Sequence, residues 1–313
     1  MARIVLDGWI PVEKASGVIQ AIGRQSAVEA LARPEPMNSD TKEVPRSGGA
    51  DVAVTPKGGT YAETDNVDSV VTLRARKFTS AFRLAEEDLA DAPADVIRAK
   101  ARDWATAYAR VLDNAALGVN ADENGTTVPF TSVYRTLATA SASGYAAGAN
   151  IVATNTGAAS ATPPAPTFAQ VSSVFGLVEN GDYFGDLVVI AHPSFLGTFR
   201  TLTDGGGNLV FQQGGAENVP DRLFGAPVRW TSGARTSTVN TGAPGGNPLM
   251  IVANRDMLIL GRRSGPETKV ISADVSLTDE AVLKCRSRRG FALGHPNGAA
   301  ILEHVRPNGT MGT

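Results

Sequence analysis

The sequence predicts an α+β fold, on three observations: one long segment with helical periodicity, several short segments that read as strands, and no regular alternation between the two. The long helix is the clearest element. Asp91-Ala92-Pro93 supplies a capping residue and an early proline. From Ala94 onward Ile97, Ala101, Trp104, Tyr108, Val111 and Ala115 recur at steps of four and three, and Gly118 ends the pattern. About 24 residues at a rise of 1.5 Å make a rod of roughly 36 Å, whose apolar stripe is expected to pack on a sheet.

Ahead of that helix the chain has less internal support. Residues 1 to 50 lack sustained periodicity beyond a short helical stretch at Val18 to Leu31, and Pro34, Pro36 and Pro45 suit an extended arm. Asp51 to Thr55 alternates like a strand, Pro56-Lys57-Gly58-Gly59-Thr60 is a turn signal, and Val67 to Leu84 reads as a long returning strand. On that strand Val71, Leu73 and Ala75 share one face, with Thr72, Arg74 and Arg76 on the other. A hairpin over residues 51–84 is too long and polar to be stable alone, so it is expected to project and lean on a neighbour.

Beyond the long helix, residues 138–166 are rich in Ala, Thr, Ser, Gly and Pro and read as a surface excursion. Thr167 and Gln170 have capping-box spacing for a helix closed by Asn180-Gly181. Leu187 to Ile190 is a buried strand, and Pro193 opens a helix carrying Phe195, Leu196, Phe199 and Leu202. Further strands are expected at Pro227–Trp230, Leu249–Ala253, Met257–Leu260, Lys269–Ser272, Ala281–Arg286 and Ala299–Glu303.

Composition narrows the function. A chain of 313 residues exceeds the size at which one core stops growing, so one large or two intimately joined domains are expected. The net charge of −2 lacks the basic excess of a protein that grips nucleic acid by its phosphates; Arg286, Arg288 and Arg289 form the densest basic patch. The single cysteine, Cys285, allows no intrachain disulfide and reads as a small buried hydrophobe. Met1 to Asp7 does not read as a signal peptide, because Asp7 interrupts the apolar stretch. No apolar run approaches the roughly 20 residues of a membrane span.

The chain offers little for catalysis. His192, His295 and His304 have no second His or Cys at ligand spacing, and the first two precede prolines, which suits turns. Phosphate-loop, dinucleotide and serine-hydrolase motifs are absent. Asn120 to Gly125 partly matches a calcium loop, but Thr131 stands where the bidentate acid belongs. Glu86-Glu87-Asp88 and Asp279-Glu280 read as charged turns. The sequence thus predicts no catalytic residue, no metal site and no cofactor; a hydrolase with an unrecognised site is the reading from another class.

Three blocks in order resemble one family. The first runs from Gly59-Thr60-Tyr61-Ala62-Glu63-Thr64 through Val71 to Lys77 and on to Phe82-Arg83-Leu84-Ala85-Glu86-Glu87-Asp88-Leu89. The second is Val188-Val189-Ile190-Ala191-His192-Pro193, then Phe199 to Asp204, then Leu223-Phe224-Gly225-Ala226-Pro227-Val228. The third is Arg286-Ser287-Arg288-Arg289-Gly290-Phe291 followed by Pro296 and Ala299. Together they resemble major capsid proteins of the Hong Kong 97 phage type, although Ala85 stands where that family commonly has serine.

The resemblance implies an N-terminal arm at 1–50, an extended hairpin loop and returning strand at 51–84, a peripheral domain with a spine helix at 85–130 and 262–313, and an axial domain at 131–261. It implies a shell subunit that assembles with itself as pentamers and hexamers around a phage genome. That shell would form in the host bacterial cytoplasm, with separate scaffolding, portal and decoration proteins as further partners. Subunit contacts are expected at Pro56, Lys57, Gly58, Gly59, Thr60, Arg74 and Arg76. One relative joins its subunits through a Lys and an Asn; Lys57 and Asn297 have those residue types, with solvent and turn roles as the simpler readings. An encapsulin-type cargo shell shares the fold and is the alternative.

Overall fold

The computed structural model describes residues 25–47, 52–61, 69–85, 87, 96–140, 145–154, 165–214, 220–240, 246–271 and 280–305. Its first elements are helix α1 (Ala27–Leu31) and strands β1 (Arg33–Pro36), β2 (Thr41–Arg46), β3 (Ser69–Arg74) and β4 (Arg76–Ala85). The middle holds α2 (Val96–Leu117), α3 (Val133–Thr139), β5 (Ile151–Ala153), α4 (Phe168–Glu179), β6 (Leu187–Ala191), α5 (Leu196–Arg200), β7 (Phe211–Gln212), β8 (Asp221–Leu223) and β9 (Ala226–Trp230). Strands β10 (Leu249–Asn254), β11 (Leu258–Ile271), β12 (Glu280–Leu293) and β13 (Ala299–Glu303) complete it.

Three sheets result. A seven-stranded sheet runs β5-β13-β10-β6-β9-β8-β7, a four-stranded sheet β1-β11-β12-β4, and β2 pairs with β3 alone. The middle of the seven-stranded sheet is apolar without alternation, because both of its faces are covered. Val171, Val174, Phe175 and Val178 of α4 close one face over Val189, Ala191, Met250, Val252 and Leu302. The other face, through Val188, Ile190, Leu249, Ile251 and Ile301, shares one core with Trp104, Tyr108, Leu112 and Leu117 of α2. That same core takes in Leu283, Cys285, Phe291 and Leu293 of the four-stranded sheet, so α2 lies where the two sheets meet.

The buried face of α2 is rotated from the expected stripe. Trp104 and Tyr108 are buried, as are Ala109, Leu112, Ala115 and Ala116, while Ile97, Ala101 and Val111 are only half-buried. Toward its C-terminus the helix runs into the core shared by the two sheets, and residues 112–117 are buried on every side. Thr167 and Gln170 form the anticipated capping box at the start of α4. His192 and His295 cap short 3-10 turns by accepting the amides of Ser194 and Asn297. Cys285 is buried.

Other elements differ from expectation. Residues 52–55 form no strand; the partner of β3 is β2, in the register Thr41 opposite Arg74 to Arg46 opposite Ser69. The returning strand breaks at Ala75 into β3 and β4. The strands expected at 257–260 and 269–272 belong to the single long β11, irregular between Arg262 and Glu267. Pro266 sits there without loss, because β1 pairs only with Ile259 to Arg262 and leaves that side of β11 free. The excursion at 138–166 is anchored by Tyr145, whose hydroxyl donates to the Leu137 carbonyl (2.7 Å), and by β5, which runs parallel to β13. Of the expected helix at 18–31, residues 18–24 lie outside the described residues, as do Asp91 to Asp95 and residues 67, 68 and 272.

From Ser26 onward, the segment anticipated as an arm is built into the body. Asp113 of α2 is fully buried and caps α1 from the side: it accepts the Ser26 hydroxyl and the amides of Ala27 (3.0 Å) and Val28 (3.1 Å). Burial pushes its carboxyl above the usual carboxylate range, and the Ser26, Thr231, Ala27 and Val28 donors pull it part of the way back. At the other end of α1, Arg255 and Arg262 donate to the carbonyls of Leu31 (3.0 Å) and Glu29 (3.1 Å). Glu29 accepts from Tyr108 (3.1 Å) and from the buried Arg289 (2.8 Å), which ties α1 to α2 and β12 together. Asp113→Ala should strand two amides and two hydroxyls in the core, at about 1–3 kcal/mol for each group left unpaired. Urea unfolding should show a clearly lower midpoint, and limited proteolysis should open the chain near residues 25–35 first.

Candidate subunit-contact surface

The surface expected to meet a neighbour begins where β2 and β3 leave the body. Their base is held by a small core of Met37, Leu73 and Ile259, with Val44, Ala75 and Ala292 packed around it. Only one face of a two-stranded ribbon can be buried this way, so the strands alternate between half-buried and exposed side chains. Arg46 closes the last rung, donating from Nε to the Ser69 hydroxyl (2.7 Å) and from Nη1 to the Gly294 carbonyl (3.1 Å). His295 follows directly, stacked on Tyr183, and burial together with the Arg46 charge lowers its pKa below the usual 6.5.

Past that rung the described residues 52–61 join none of the core clusters. Every described residue from 52 to 61 except Thr55 is exposed. Pro56 to Gly59 makes a β-turn, closed by the Gly59 amide on the Pro56 carbonyl (2.9 Å), with Gly58 at φ +82° where other residues would be strained. Val54 is 100% exposed, Val52 93% and Tyr61 88%, values that no packed apolar side chain shows. Sequence reasoning named the turn residues Pro56, Lys57, Gly58, Gly59 and Thr60 and missed these three apolar neighbours. Their signal in the sequence is the Val52/Val54 alternation, which predicts strand pairing that residues 52–55 do not form.

Arg74 and Arg76 sit at the opposite end of the hairpin from the tip. Both reach Glu123, in the turn after α2, and Arg76 also donates to the Pro129 carbonyl (3.2 Å). They brace the hairpin base against the body, and the structure does not bring them together with Pro56 to Thr60. Asn297 lies in the 3-10 turn Pro296–Gly298, with its Cβ and carbonyl oxygen where a side chain on Gly181 would fall. The basic run at 286–289 is split by strand alternation: Arg289 turns inward to Glu29, while Arg286 and Arg288 face outward. Among the described residues, no cluster of three His, Cys, Asp or Glu side chains could hold a metal, and no helix is long and apolar enough to cross a membrane.

The described residues thus form a body of two sheets joined by one long helix, with residues 52–61 exposed outside its cores. The phage capsid family model matches residues 8–304, and the chain belongs to that family. It is a major capsid shell protein. The fold is similar to that of the Mycobacterium phage Ogopogo structure, with a TM-score of 0.73 at 15% identity over 96% of this chain and 99% of that one. Microbacterium phage Oxtober96 gives 0.66 at 17% identity, over 97% and 98%. The capsid of an empty GTA particle gives 0.64 at 14% identity, over 96% and 97%. No curated protein sequence matches the chain.

The His295 environment sets a pH dependence for the hairpin base. The unfolded chain takes up a proton on this imidazole near pH 6.5, whereas the folded state resists it. The contribution is therefore fully present above pH 6.5 and is lost as the pH falls through the lowered folded value. Thermal unfolding should show stability declining below pH 6.5 in the unaltered chain, and a shallower decline in His295→Asn, which keeps a capping acceptor but does not titrate.

Proposed function

We propose that the subunit closes an icosahedral shell around a phage genome by laying its hairpin loop, led by Pro56 to Thr60, on a neighbouring copy. The observation that carries this reading is the exposure of Val52, Val54 and Tyr61 on a segment the subunit's own core does not reach. Isolated exposed valines are common on protein surfaces, but three such side chains within ten residues of an otherwise unsupported loop mark a contact awaiting a partner. Assembly as pentamers and hexamers supplies that partner from identical copies. Scaffolding, portal and decoration proteins would join the same particle in the host cytoplasm.

In this reading the seven-stranded sheet with α3, α4 and α5 corresponds to the axial domain near capsomer centres, which takes β13 from within the expected peripheral range 262–313 in addition to residues 131–261. The four-stranded sheet with α2 corresponds to the peripheral domain, which takes β1 and β4 in addition to residues 85–130 and the remainder of 262–313. Arg74 and Arg76 act by bracing the hairpin at its root. Energetics favour assembly over chemistry: at about 25 cal/mol per Å², burying 1,000 Å² of apolar surface corresponds to roughly 25 kcal/mol gross, before ordering and association costs. In this reading the histidines serve as turn caps and ring contacts.

Deleting Lys57 to Thr60 should leave a folded subunit, judged by an unchanged thermal transition, that sediments as free capsomers or aberrant aggregates. Single volume-matched replacements of His192, His295, His304 or Cys285 should still give particles in negative stain at neutral pH. Normal shells from the loop deletion, or a turnover lost with one histidine, would overturn the reading. DNA in the purified particles, and not a cargo enzyme, is the result expected for a phage shell.

A further inference from the structure

The arginines of the four-stranded sheet are matched by acids unevenly on its two sides. On the side away from α2, Arg263 and Arg288 share Asp40, and Arg286 pairs with Glu267 (2.9 Å). On the α2 side a cleft of about 530 Å³ opens between α1, α2 and β11, where Ser26, Glu29, Thr106, Tyr108, Arg262 and Arg289 meet. Strand register sets Arg262 of β11 opposite Arg289 of β12, two like charges on one rung. Among the described residues Glu29 is the one carboxylate in the lining, and its Oε1 already accepts from Arg289 (2.8 Å) and Tyr108 (3.1 Å).

Helix α2 adds charge to the same cleft. Ala105, Thr106 and Ala109 form its wall, and Arg102 and Arg110 stand four residues before and after Thr106, a turn away in each direction. Both are exposed, as is Arg262. Among the described residues, neither Arg102 nor Arg110 pairs with a carboxylate, and Arg262 donates to a carbonyl, that of Glu29 (3.1 Å). Residues 1–24, which precede Gln25 at the cleft, carry Arg3, Lys14 and Arg24 against Asp7 and Glu13, so they bring no counter-charge. Arg98 follows the acidic stretch Glu86 to Asp95 in sequence and is no part of the site.

We propose that this cleft is a phosphate seat, in which Arg102, Arg110 and Arg262 hold the backbone of nucleic acid. The proposal rests on the shell reading, which makes the enclosed genome the source of the phosphates. Arginine suits the task because its planar fork donates two parallel hydrogen bonds to one phosphate. Arg102 and Arg110 lie about 12 Å apart along the helix axis at 1.5 Å per residue; a DNA strand presents a phosphate about every 3.4 Å, so the pair spans about three of them. The Arg289–Glu29 pair fixes the floor, and the exposed arginines supply charge that no carboxylate of the cleft meets. Such contacts position a backbone without reading its sequence. A chain with a net charge of −2 can thus hold DNA at one place without being basic overall.

The experiment measures binding of a fluorescein-labelled DNA duplex of about 20 base pairs to the full chain, by anisotropy over a series of salt concentrations. Arg102→Gln with Arg262→Gln forms one variant, Arg102→Lys with Arg262→Lys a second, and Arg286→Gln with Arg288→Gln, on the other side of the sheet, a third. Each is first checked for an unchanged thermal transition. The glutamine pair in the cleft should raise Kd about tenfold and reduce the slope of log affinity against log salt by about two. The lysine pair keeps the charge and should stay within about threefold of the unaltered chain. The third variant should leave affinity and slope unchanged. No binding by the unaltered chain, unchanged binding by the glutamine pair in the cleft, or an equal loss from the third variant overturns the proposal. So does displacement of the duplex by poly-glutamate of matched charge, or by inorganic phosphate of matched phosphate content, as readily as by unlabelled DNA, since the cleft would then seat an acidic protein or a free anion. Shells should still form from the cleft variants in negative stain, and their loss would place the cleft at a subunit contact and overturn the proposal too. If the unaltered chain forms no shells, the shell reading falls while the anisotropy decides the cleft by itself.

Discussion

The structure depends on the last two turns of α2, where one buried carboxylate and one buried amide hold three parts of the chain together. Asp113 takes the N-terminal donors of α1. Its neighbour Asn114 donates to the carbonyls of Gly233 (3.0 Å) and Arg235 (2.9 Å) and accepts from the Ser237 hydroxyl (2.8 Å). Neither neighbouring glycine has room for a side chain: a Cβ on Gly118 would lie 1.8 Å from the Arg235 carbonyl oxygen, and one on Gly233 would meet Asp113 itself at 2.7 Å. Polar groups this deep are costly unless fully paired, and these pairings fix where α1 and the 231–237 segment sit.

That arrangement explains why the subunit can carry a long hairpin without collapsing onto it. The apolar surface of both sheets is consumed by α2, α4 and each other. Among the described residues, 52–61 join none of that core, and the Met37, Leu73 and Ile259 group packs the hairpin root. The loop is therefore presented instead of packed, while Arg46, Arg74 and Arg76 hold its base through hydrogen bonds and ion pairs.

Local chemistry made part of the fold legible beforehand. The Thr167/Gln170 capping box, the apolar run at Leu187 to Ile190 and the helical spacing from Ile97 to Ala115 each depend on residues within a turn or two, so the sequence shows them directly. What escaped depends on distant partners. β1, Arg-Pro-Glu-Pro, has no strand propensity of its own and exists because β11 offers an edge. Asp113 and Ser26 are separated by 87 positions, and no periodicity links them. The pairing of β2 with β3 was obscured by Pro45 and by a loop whose Val52/Val54 alternation imitates a strand.

The contact surface was legible in the same uneven way. A turn announces itself by composition, so Pro56 to Thr60 were found. Alternation tells which side chains share a face, but not whether that face is covered. Arg286, Arg288 and Arg289 read as one basic patch until the fold turned Arg289 inward to Glu29 and left the other two outside. Even then their meaning depends on register: only the pairing of β12 with β4 and β11 sets Lys77 against Arg288 and Lys269 against Lys284. Charge that is nearly balanced over the whole chain is thereby gathered into rows of opposed basic side chains on one face of the four-stranded sheet, and residues that meet only through strand register leave no local pattern for the sequence to show.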